Sequence, residues 1–582
     1  MTIAEHTRVS WFAASHALRA LVGRINAHPL VRWRFSPAVA DRLLIAPQDL
    51  RTADPTRASE IYAGRFAFAG KIVVCDGRSP FEVEPPSEEW ADTLLGFSWL
   101  RHLRAADSSI TRANARALVD EWIALQGGWD TTGWRPDIVA RRIISWLCQA
   151  PLVLQETDVR FYRRFMRNLT RQVRYLRGTV SSAQDGLPRL DAIIALTYAA
   201  LCMQAEARLL KSATKRLIQE LERQILPDGG HIGRNPNTLI ELLLDLLPLR
   251  QAFAARNVPP PPALLNAIDR MMPMLRFFRH ADGSFALFNG MGPTPPDLLA
   301  TVLAYDDARG TPVANAPHSG YQRLQSGDLI VLVDTGRPPP IAVSYEGHAG
   351  CLSFELSSKQ HRIVVNCGLP ATSRDSWRLI ARATPAHSTA TINESSSCHF
   401  LTTAALRHFL GSPIVSGPEQ VDVSRQERDD AIVLRASHDG YAARFGVVHQ
   451  RVLRLQADGS RLDGEDSFLP ADGGDLSTNR RDEFAVRFHL HPTVRASKLT
   501  DEHGAMLMLP NAEVWTFTGF EDRVEIEDSV FLAGPEGPRR TLQIVIYGRA
   551  HQVPKVRWAL VHVDPSAQGS GRIAMIAPRD PL

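Results

Sequence analysis

The chain has 582 residues, of which 44% are hydrophobic and 22% are charged, and its formal net charge is +4. These are ordinary values for a globular protein, so they exclude a disordered chain. A single core stops growing at about 250–300 residues, so we expect more than one domain. Arginine outnumbers lysine 60 to 6. This bias is typical of a GC-rich genome, and arginine also suits the recognition of carboxylate or sulfate groups.

The first 35 residues predict an amphipathic helix, because Arg19 and Arg24 interrupt the apolar run that a secretory signal would need. We expect this helix to pack on its own domain, with contact to a membrane surface as the alternative. No stretch approaches the ~20 apolar residues of a transmembrane helix. The predicted compartment is therefore the cytoplasm. Six scattered cysteines, without a C-x-x-C pair, predict reduced and partly buried thiols.

Residues 90–305 have a helical pattern. In NPNTLIELLLDLLPLR, Asn235 is a suitable N-cap and Pro236 fits the first helical position. Leucines then recur at helical spacing. Because further helical stretches follow one another without intervening strands, the pattern predicts a helical array or toroid.

After residue 315 the period changes to two. The segments DLIVLV, CLSFEL, RIVVN, EFAVRFHL, VWTFTGF and TLQIVIYG predict strands, and the turn at Asp458 and Gly459 predicts a hairpin. Many short strands without crossover helices are typical of an antiparallel β-sandwich. We therefore predict an α+β two-domain protein, with a toroid-like helical domain over residues 1–315 and a sandwich over residues 316–582.

Several segments resemble the heparinase II/III family of polysaccharide lyases. In the helical half they are GWRPDIVARRIISWL and PDGGHIGRNPNTLIELLLDLL, and in the β half they are SGYQRLQSGDLIVLVDTG, GHAGCLSFELSSKQHRIVVNCG, RATPAHSTATIN and FAVRFHLHPTV. They occur in the family's order and cover most of the chain from residue 90 onward. The family's architecture, an (α/α) toroid joined to an antiparallel sandwich, agrees with the change of period.

The resemblance implies β-elimination across C4–C5 of a uronic acid in an acidic polysaccharide. Such a site must neutralise the carboxylate, supply a base and protonate the leaving oxygen. The family uses Asn or His as the neutraliser, with Tyr and His as base and acid. Relatives are often exported, so the resemblance also implies the periplasm or cell envelope as an alternative compartment.

The helical half departs from the family's pattern. Gly186-Leu187 stands where an Asn-His pair is typical, and Thr238-Leu239 stands where relatives often carry Tyr-His. The neighbouring His231 and Asn235 are candidate substitutes. The alternative is that these two residues only cap a helix and shape a loop.

In the β half, GHAGCLSFEL resembles a family motif with two histidines and an aspartate. His348 matches the second histidine, whereas Glu346 replaces the first. Tyr345, Glu346 and His348 form a compact group of titratable side chains, and we expect Arg382 to lie one strand away. A glutamate or tyrosine with a shifted pKa could take the C5 proton.

Family members with a structural metal imply a ligand set of His348, Asn366 and His387 in this chain. Imidazole is a good zinc ligand, but an asparagine lacks the charge that favours a divalent ion. We therefore expect at most one structural divalent metal, zinc or calcium, and no other cofactor. The alternative is that both histidines are hydrogen-bonded groups beneath the sandwich.

A stripe of arginines follows helical spacing in VRFYRRFMRNLTRQVRYLRG. It predicts either a solvated helix face or a track for an anionic chain. The predicted substrate-binding residues are Arg160, Arg164, Arg167 and Arg171, with Arg234 from the R-x-P element. Nucleic acid would feel the same charge, but no base-reading motif accompanies it.

The sequence therefore gives two functional hypotheses. The first is a carbon–oxygen lyase that cleaves an acidic polysaccharide by β-elimination. The second is a catalytically degenerate glycan-binding or envelope-associated protein of the same fold.

Overall fold

The computed structural model describes residues 3–27, 42–125, 132–204, 207–306, 310–371, 375–474, 476 and 481–563. Its N-terminal half is mostly helical. The helices are α1 Ile3–Ala27, α2 Thr56–Tyr62, α3 Glu88–Gly96, α4 Leu100–Ala106, α5 Ser109–Leu125, α6 Pro136–Cys148, α7 Ala150–Leu154, α8 Val159–Thr179, α9 Leu187–Cys202, α10 Ala207–Gln224, α11 Asn237–Ala255, α12 Pro262–Phe277 and α13 Pro296–Leu303. A hairpin of β1 Arg65–Phe68 and β2 Lys71–Val74 also lies in this half, which the sequence pattern did not predict.

Local sequence accounts for where several helices begin. Asp158 caps α8 by accepting a hydrogen bond of 2.8 Å from the Phe161 amide. Pro136 takes the first turn of α6, where its missing N–H costs nothing. Asn235 accepts a bond of 2.9 Å from the Asn237 amide, so the predicted capping side chain does serve the start of α11. The leucines predicted to share one face of α11 are all buried.

The C-terminal half is a pair of antiparallel sheets. Its strands are β3 Asn315–Ala316, β4 Tyr321–Ser326, β5 Leu329–Asp334, β6 Phe354–Ser358, β7 His361–Val365, β8 Ala390–Ile392, β9 His399–Phe400, β10 Ile414–Ser416, β11 Val421–Glu427, β12 Ala431–His438, β13 Val447–Gln456, β14 Arg461–Pro470, β15 Glu483–Leu490, β16 Arg495–Lys498, β17 Gly504–Met508, β18 Val514–Thr518, β19 Val524–Phe531, β20 Arg539–Arg549 and β21 Lys555–Val563. One sheet has the order β11-β12-β13-β14-β21-β18-β17-β16, and the other β19-β20-β15-β7-β6-β5-β4-β3, with β8 beside β15. Short helices α14 Asp375–Arg382, α15 Ala404–Leu410 and α16 Ala442–Phe445 lie between strands. The predicted fold class is confirmed.

The two halves share a core. The large cluster formed by the helices also includes Tyr321, Ile330 and Leu332, which come from β4 and β5. A second cluster fills the space between the two sheets and includes Phe354, with Trp558 stacked on it. One sheet therefore packs on the helical domain with one face and on its partner sheet with the other, which fixes the geometry of the junction.

Helix α1 bridges the two halves from outside. Val9 and Phe12 are buried against Leu401, Leu410 and Val415 of the sandwich half. The same helix packs against α8 of the helical half. The sequence predicted that the N-terminal helix packs on its own domain, and it packs both on α8 of that domain and on the sandwich half. In the described part of the chain, no helix combines the length and the apolar character needed to cross a bilayer.

Candidate functional site at the junction of the two halves

Arg234 fastens the helical half to the sandwich. Its guanidinium donates to Asp334 Oδ1 at 2.5 Å, and to the carbonyls of Ser319, Gly320 and Arg337 at 2.8, 3.1 and 2.9 Å. The side chain is 7% exposed. The predicted role of Arg234 in substrate binding does not match these contacts, because each of its three guanidinium nitrogens already donates to a protein oxygen.

Asn289 extends the Arg234–Asp334 ion pair into a buried polar network. Its Nδ2 donates to Asp334 Oδ2 at 3.0 Å and to the Tyr321 hydroxyl at 2.7 Å. Its Oδ1 accepts a bond of 3.0 Å from the His348 amide. Burial raises the pKa of the Tyr321 phenol, so the hydroxyl stays protonated and donates to the Arg234 carbonyl at 2.7 Å. The network joins loops of both halves by matched donors and acceptors.

Asn235 and Glu346 meet across the junction, as the sequence predicted for side chains of one site. Asn235 Nδ2 donates to Glu346 Oε2 at 2.8 Å. Asn235 is buried, whereas Glu346 is exposed. Gly290 makes this approach possible, because a Cβ there would lie 2.9 Å from Glu346 Cβ and 3.1 Å from Asn235 Nδ2. Glu346 is therefore the member of this pair that reaches solvent.

Tyr345 stands next to Glu346 but turns toward an apolar cluster. It is half-buried against Ile341, Ala342 and the residues that anchor α1. Burial raises the pKa of the Tyr345 phenol. A raised pKa leaves less phenolate at neutral pH, so less of this tyrosine is in the form that could accept a proton.

Gly186, which the resemblance places where the family carries its neutralising residue, packs against the other half of the protein. Gly186 has φ +83°, and a Cβ built on it would lie 2.9 Å from Val343 Cγ1. Val343 belongs to a short 3₁₀ turn, Ile341–Val343, on the sandwich side. Thr238 and Leu239, at the family's Tyr-His position, are buried. These positions therefore offer packing rather than proton transfer.

His231 holds its own loop through hydrogen bonds at both ring nitrogens. Its Nδ1 accepts a bond of 3.0 Å from the Gly233 amide, so the proton sits on Nε2 and is donated to Gln224 Oε1 at 3.0 Å. Burial lowers the pKa of His231 to about 4. Both ring nitrogens are in use, which agrees with the loop-shaping alternative for this residue.

His348 and His387 are hydrogen-bonded to each other. His387 Nδ1 lies 2.9 Å from the Ala383 carbonyl, so it carries the proton and leaves a lone pair on Nε2. His348 Nδ1–H then donates to that lone pair at 3.0 Å. Burial lowers the pKa of His387 to about 4, and burial with the neighbouring His387 lowers the pKa of His348 well below its usual value. Both rings are neutral near pH 7.

Arg382, predicted beside the histidines, clamps backbone carbonyls. It donates to Gly347, Ser344 and Ser412 oxygens at 2.8, 2.9 and 2.6 Å. Burial lowers its pKa to about 10, which still leaves the guanidinium charged near neutrality. In this arrangement Arg382 holds the loop around Ser344 in place instead of facing a ligand.

The predicted metal ligands do not form a metal centre as arranged. The facing nitrogens of His348 and His387 are joined by their own hydrogen bond. Asn366 Oδ1 accepts from the Ser388 amide at 3.0 Å, and its Nδ2 donates to Glu355 at 3.2 Å. Within the described residues, no group of three His, Cys, Asp or Glu side chains could hold an ion. The residues therefore do not fit the implied metal, and the histidines match the alternative of hydrogen-bonded groups under the sandwich.

A groove of about 700 Å³ lies beside the Arg234–Asp334 ion pair. Leu226 and Ile232 form its helical wall, and β11 together with the run Pro338–Pro340 forms the sandwich wall. Exposed Arg337 and His318 stand at its rim. The groove is large enough for an extended segment, and its polar character is basic.

The arginine stripe occupies the outer face of α8 and does not line this groove. Arg160, Arg164 and Arg167 are exposed, and Arg164 pairs with Asp120 of α5 at 2.5 Å. Arg171 is half-buried, with its guanidinium 5.7 Å from the Trp134 ring. The buried residues of α8 face the core. The stripe is a solvated face in this structure, and its role as a polyanion track stays a prediction.

Sequence reasoning missed the two features that shape the junction most. Val343 was not predicted to fill the space beside Gly186, because contact between segments so far apart leaves no periodic signal. The Arg234–Asp334 pair was also missed. The DTG at the end of DLIVLVDTG could have suggested a buried acid, since Asp334 ends an otherwise continuous apolar strand.

The toroid and sandwich with a shared junction define a polysaccharide-lyase fold. The crystal structure of heparinase III matches with a TM-score of 0.70 and 14% identity, over 92% of this chain and 88% of that one. A heparan sulfate lyase HepC mutant from Pedobacter heparinus matches with a TM-score of 0.63 and 14% identity, over 95% and 88% of the two chains. These likenesses establish the fold.

Sequence comparison then gives the family. Residues 308–559 match the model described as "Heparinase II/III-like, C-terminal". The FtsZ-localized protein C of Caulobacter vibrioides is 30% identical over 574 residues, which cover 96% of this chain and 95% of the relative. The chain belongs to the heparinase II/III family, as its motifs predicted. Its fold and its C-terminal domain are those of the enzyme class that the sequence predicted, the polysaccharide lyases.

Proposed function

We propose that this protein is a non-catalytic member of the heparinase II/III family that localises with FtsZ and acts there as a binding protein. The support is the FtsZ-localized protein C, a relative that is similar over nearly the whole of both chains. Likeness across both halves, rather than over one domain alone, favours a shared role of the complete architecture. The cytoplasmic location expected from the sequence is part of this proposal.

The observation that carries the proposal is the contact between Gly186 and Val343. A lyase needs a side chain at this position to neutralise the uronate carboxylate, and glycine has none. The space that such a side chain would use is occupied by Val343 Cγ1, only 2.9 Å from the place of a Cβ. Restoring the chemistry would therefore require a change on both sides of the junction.

The surrounding charged groups support the same conclusion. Arg234 and Arg382 are directed at Asp334 and at backbone carbonyls, so neither fork faces the junction opening. His231 and His387 are neutral and hydrogen-bonded at both ring nitrogens. Stabilisation of a developing carbanion depends on donors already aimed at the substrate.

Two assays test the proposal together. The purified full-length chain should sediment with FtsZ filaments, and it should produce no unsaturated uronate from heparin, heparan sulfate or alginate in an ultraviolet absorbance assay. Heparinase III serves as the positive control for elimination. A rise in absorbance above that of boiled protein would overturn the non-catalytic assignment. Failure to sediment with filaments would contradict FtsZ as the partner.

The second candidate function is a lyase on an acidic polysaccharide, and the Asn235–Glu346 pair favours it. These two side chains come from opposite halves and are 2.8 Å apart, with Asn235 buried and Glu346 exposed. Glu346 would act as the base for the C5 proton, with Tyr345 beside it. An anionic chain could then lie along the basic rim of the neighbouring groove, at Arg337.

One variant separates the two candidates. Glu346→Gln keeps a partner for Asn235 and removes the base. If any elimination activity is detected, this variant should lose at least about a hundredfold of it, since general-base catalysis contributes on the order of 10²–10⁴. Equal activity in Glu346→Gln and in the wild type would exclude Glu346 as the base.

A further inference from the structure

Strand β11 has one edge that no other strand covers in the described part of the chain. It is the last strand of its sheet, and β12 is the strand it pairs with. At the turn between these two strands, Arg428 and Ala431 exchange both backbone hydrogen bonds, at 2.9 and 3.3 Å. Such pairs alternate along an antiparallel ladder, so the even-numbered residues of β11 bond to β12. Val421, Val423 and Arg425 therefore direct their N–H and C=O groups away from β12.

The unpaired edge of β11 borders the groove at the junction, because Val421, Val423 and Arg425 all line it. Among the residues that the structure describes, none donates to or accepts from the backbone groups of these three. Leu226 and Ile232 of the helical half form the facing wall of the groove. A segment lying along β11 would therefore meet unpaired backbone donors and acceptors on one side and apolar side chains on the other.

The charged groups of the groove are all basic. Its lining includes Arg234, His318, Arg337 and Arg425, and it includes no Asp or Glu. Arg234 and Arg425 are already ion-paired. His318 and Arg337 are exposed, and no side chain of the described residues pairs with either of them. Complementarity of charge therefore favours an occupant that carries carboxylates.

We infer that β11 and the groove bind an extended acidic segment of a partner protein, which adds to the sheet as a further strand. Backbone hydrogen bonds to a sheet edge supply affinity in this mode of recognition, and alternate side chains supply specificity. Val421, Val423 and Arg425 offer three donors and three acceptors at the repeat of a strand. An acidic polysaccharide fits less well, because a sugar chain has no backbone donors and acceptors at that repeat.

This inference does not rest on the proposed function, since its test contains neither FtsZ nor an elimination reaction. The probe is the fluorescein-labelled peptide Glu-Val-Thr-Val-Glu-Val-Asp, titrated with the full-length chain and followed by fluorescence anisotropy. The wild type should bind it saturably with one peptide per chain, and added salt should weaken the binding. The same peptide with lysine in place of each acidic residue should bind on the order of tenfold more weakly or worse.

N-methylated peptides test the pairing of the backbone on the unaltered protein. Alternate residues of a strand direct their N–H groups to opposite sides, so only one set of alternate residues can bond to β11. N-methylation of that set should abolish binding, whereas N-methylation of the other set should change the Kd by no more than about twofold. The side chains and the charge are the same in both peptides, so only the backbone donors differ.

Proline substitutions test the strand. Val423→Pro removes an N–H that faces away from β12, and proline is tolerated at such positions of an edge strand. Its Tm should stay close to that of the wild type, while its Kd for the peptide should rise on the order of tenfold or more. Val74→Pro is the matched control, since Val74 faces away from β1 in the same way and should leave binding unchanged. Arg337→Gln should weaken binding several-fold and reduce its dependence on salt.

Four results would overturn the inference. The wild type could fail to bind the peptide. Both N-methylated peptides could bind equally well, which would exclude strand addition. Val423→Pro could bind like the wild type at an unchanged Tm. A fluorescent heparin oligosaccharide could bind the wild type and lose affinity in Arg337→Gln while the peptide does not bind, in which case the groove takes a polysaccharide.

Discussion

The free energy of unfolding can test directly whether Val343 fills the space beside Gly186. Gly186 has φ +83° and ψ −142°, a region that is essentially restricted to glycine. Gly186→Ala should therefore cost about 1–3 kcal/mol in backbone strain. Its Cβ would also lie 2.9 Å from Val343 Cγ1, and such overpacking typically costs a further 1–3 kcal/mol or so. Together these terms predict a loss of roughly 2–6 kcal/mol in the free energy of unfolding.

A double-mutant cycle separates the two terms. Val343→Ala alone should cost roughly 1 kcal/mol, because Val343 is only half-buried. In the Gly186→Ala/Val343→Ala variant the steric term should disappear while the backbone strain stays. The coupling energy between the two positions should therefore be stabilising by about 1–3 kcal/mol. Urea unfolding at neutral pH, followed by circular dichroism, measures all four proteins.

Gly446 supplies the matched control. It also has a positive φ, +69°, but a Cβ on it would meet no atom within 4 Å. Gly446→Ala should therefore show only the strain of a left-handed residue, about 1–2 kcal/mol. If Gly186→Ala were no more destabilising than Gly446→Ala, Val343 would not be filling the site, and the junction could still admit a catalytic side chain.

Three further predictions concern the groups around the junction. Arg234→Gln should lower the free energy of unfolding by about 3–5 kcal/mol in urea titrations, because it leaves Asp334 buried without its cation, and a loss below about 1 kcal/mol would show that the pair does not fasten the two halves. His387 should make stability depend on pH: its folded pKa of about 4 lies below the ordinary 6.5, so its contribution is complete above pH 6.5 and is lost as the pH falls through 4, by up to about 3 kcal/mol. A flat profile of unfolding free energy between pH 7 and pH 4 would contradict this. Zinc added to chelator-treated protein should leave the Tm unchanged, since His348 and His387 bind each other, and a clear rise in Tm would instead reveal a metal centre.

The sequence predicted the fold well because helices and strands differ in the spacing of their apolar residues, which is a local pattern. The strand EFAVRFHL has the bounds of β15, and RVLRLQ and RLDGEDSF lie in β13 and β14 of one hairpin. It also brought Asn235 and Glu346 into one site, since family order placed both near the junction. It could not predict that Arg234 and Arg382 face carbonyls, because an arginine that binds an anion and one that clamps a loop look the same in sequence.

The donors already present around the junction bear on the non-catalytic role proposed above. A uronate carboxylate entering beside Val343 would need a cation or amide whose hydrogen bonds were not already made. Arg234 could serve only by abandoning Asp334, which would then be a buried carboxylate without its counter-ion. The contacts that join the toroid to the sandwich therefore already use the arginine and amide donors that catalysis would require. Under the proposed non-catalytic role, these groups stabilise the junction itself, so the architecture can be kept without the reaction.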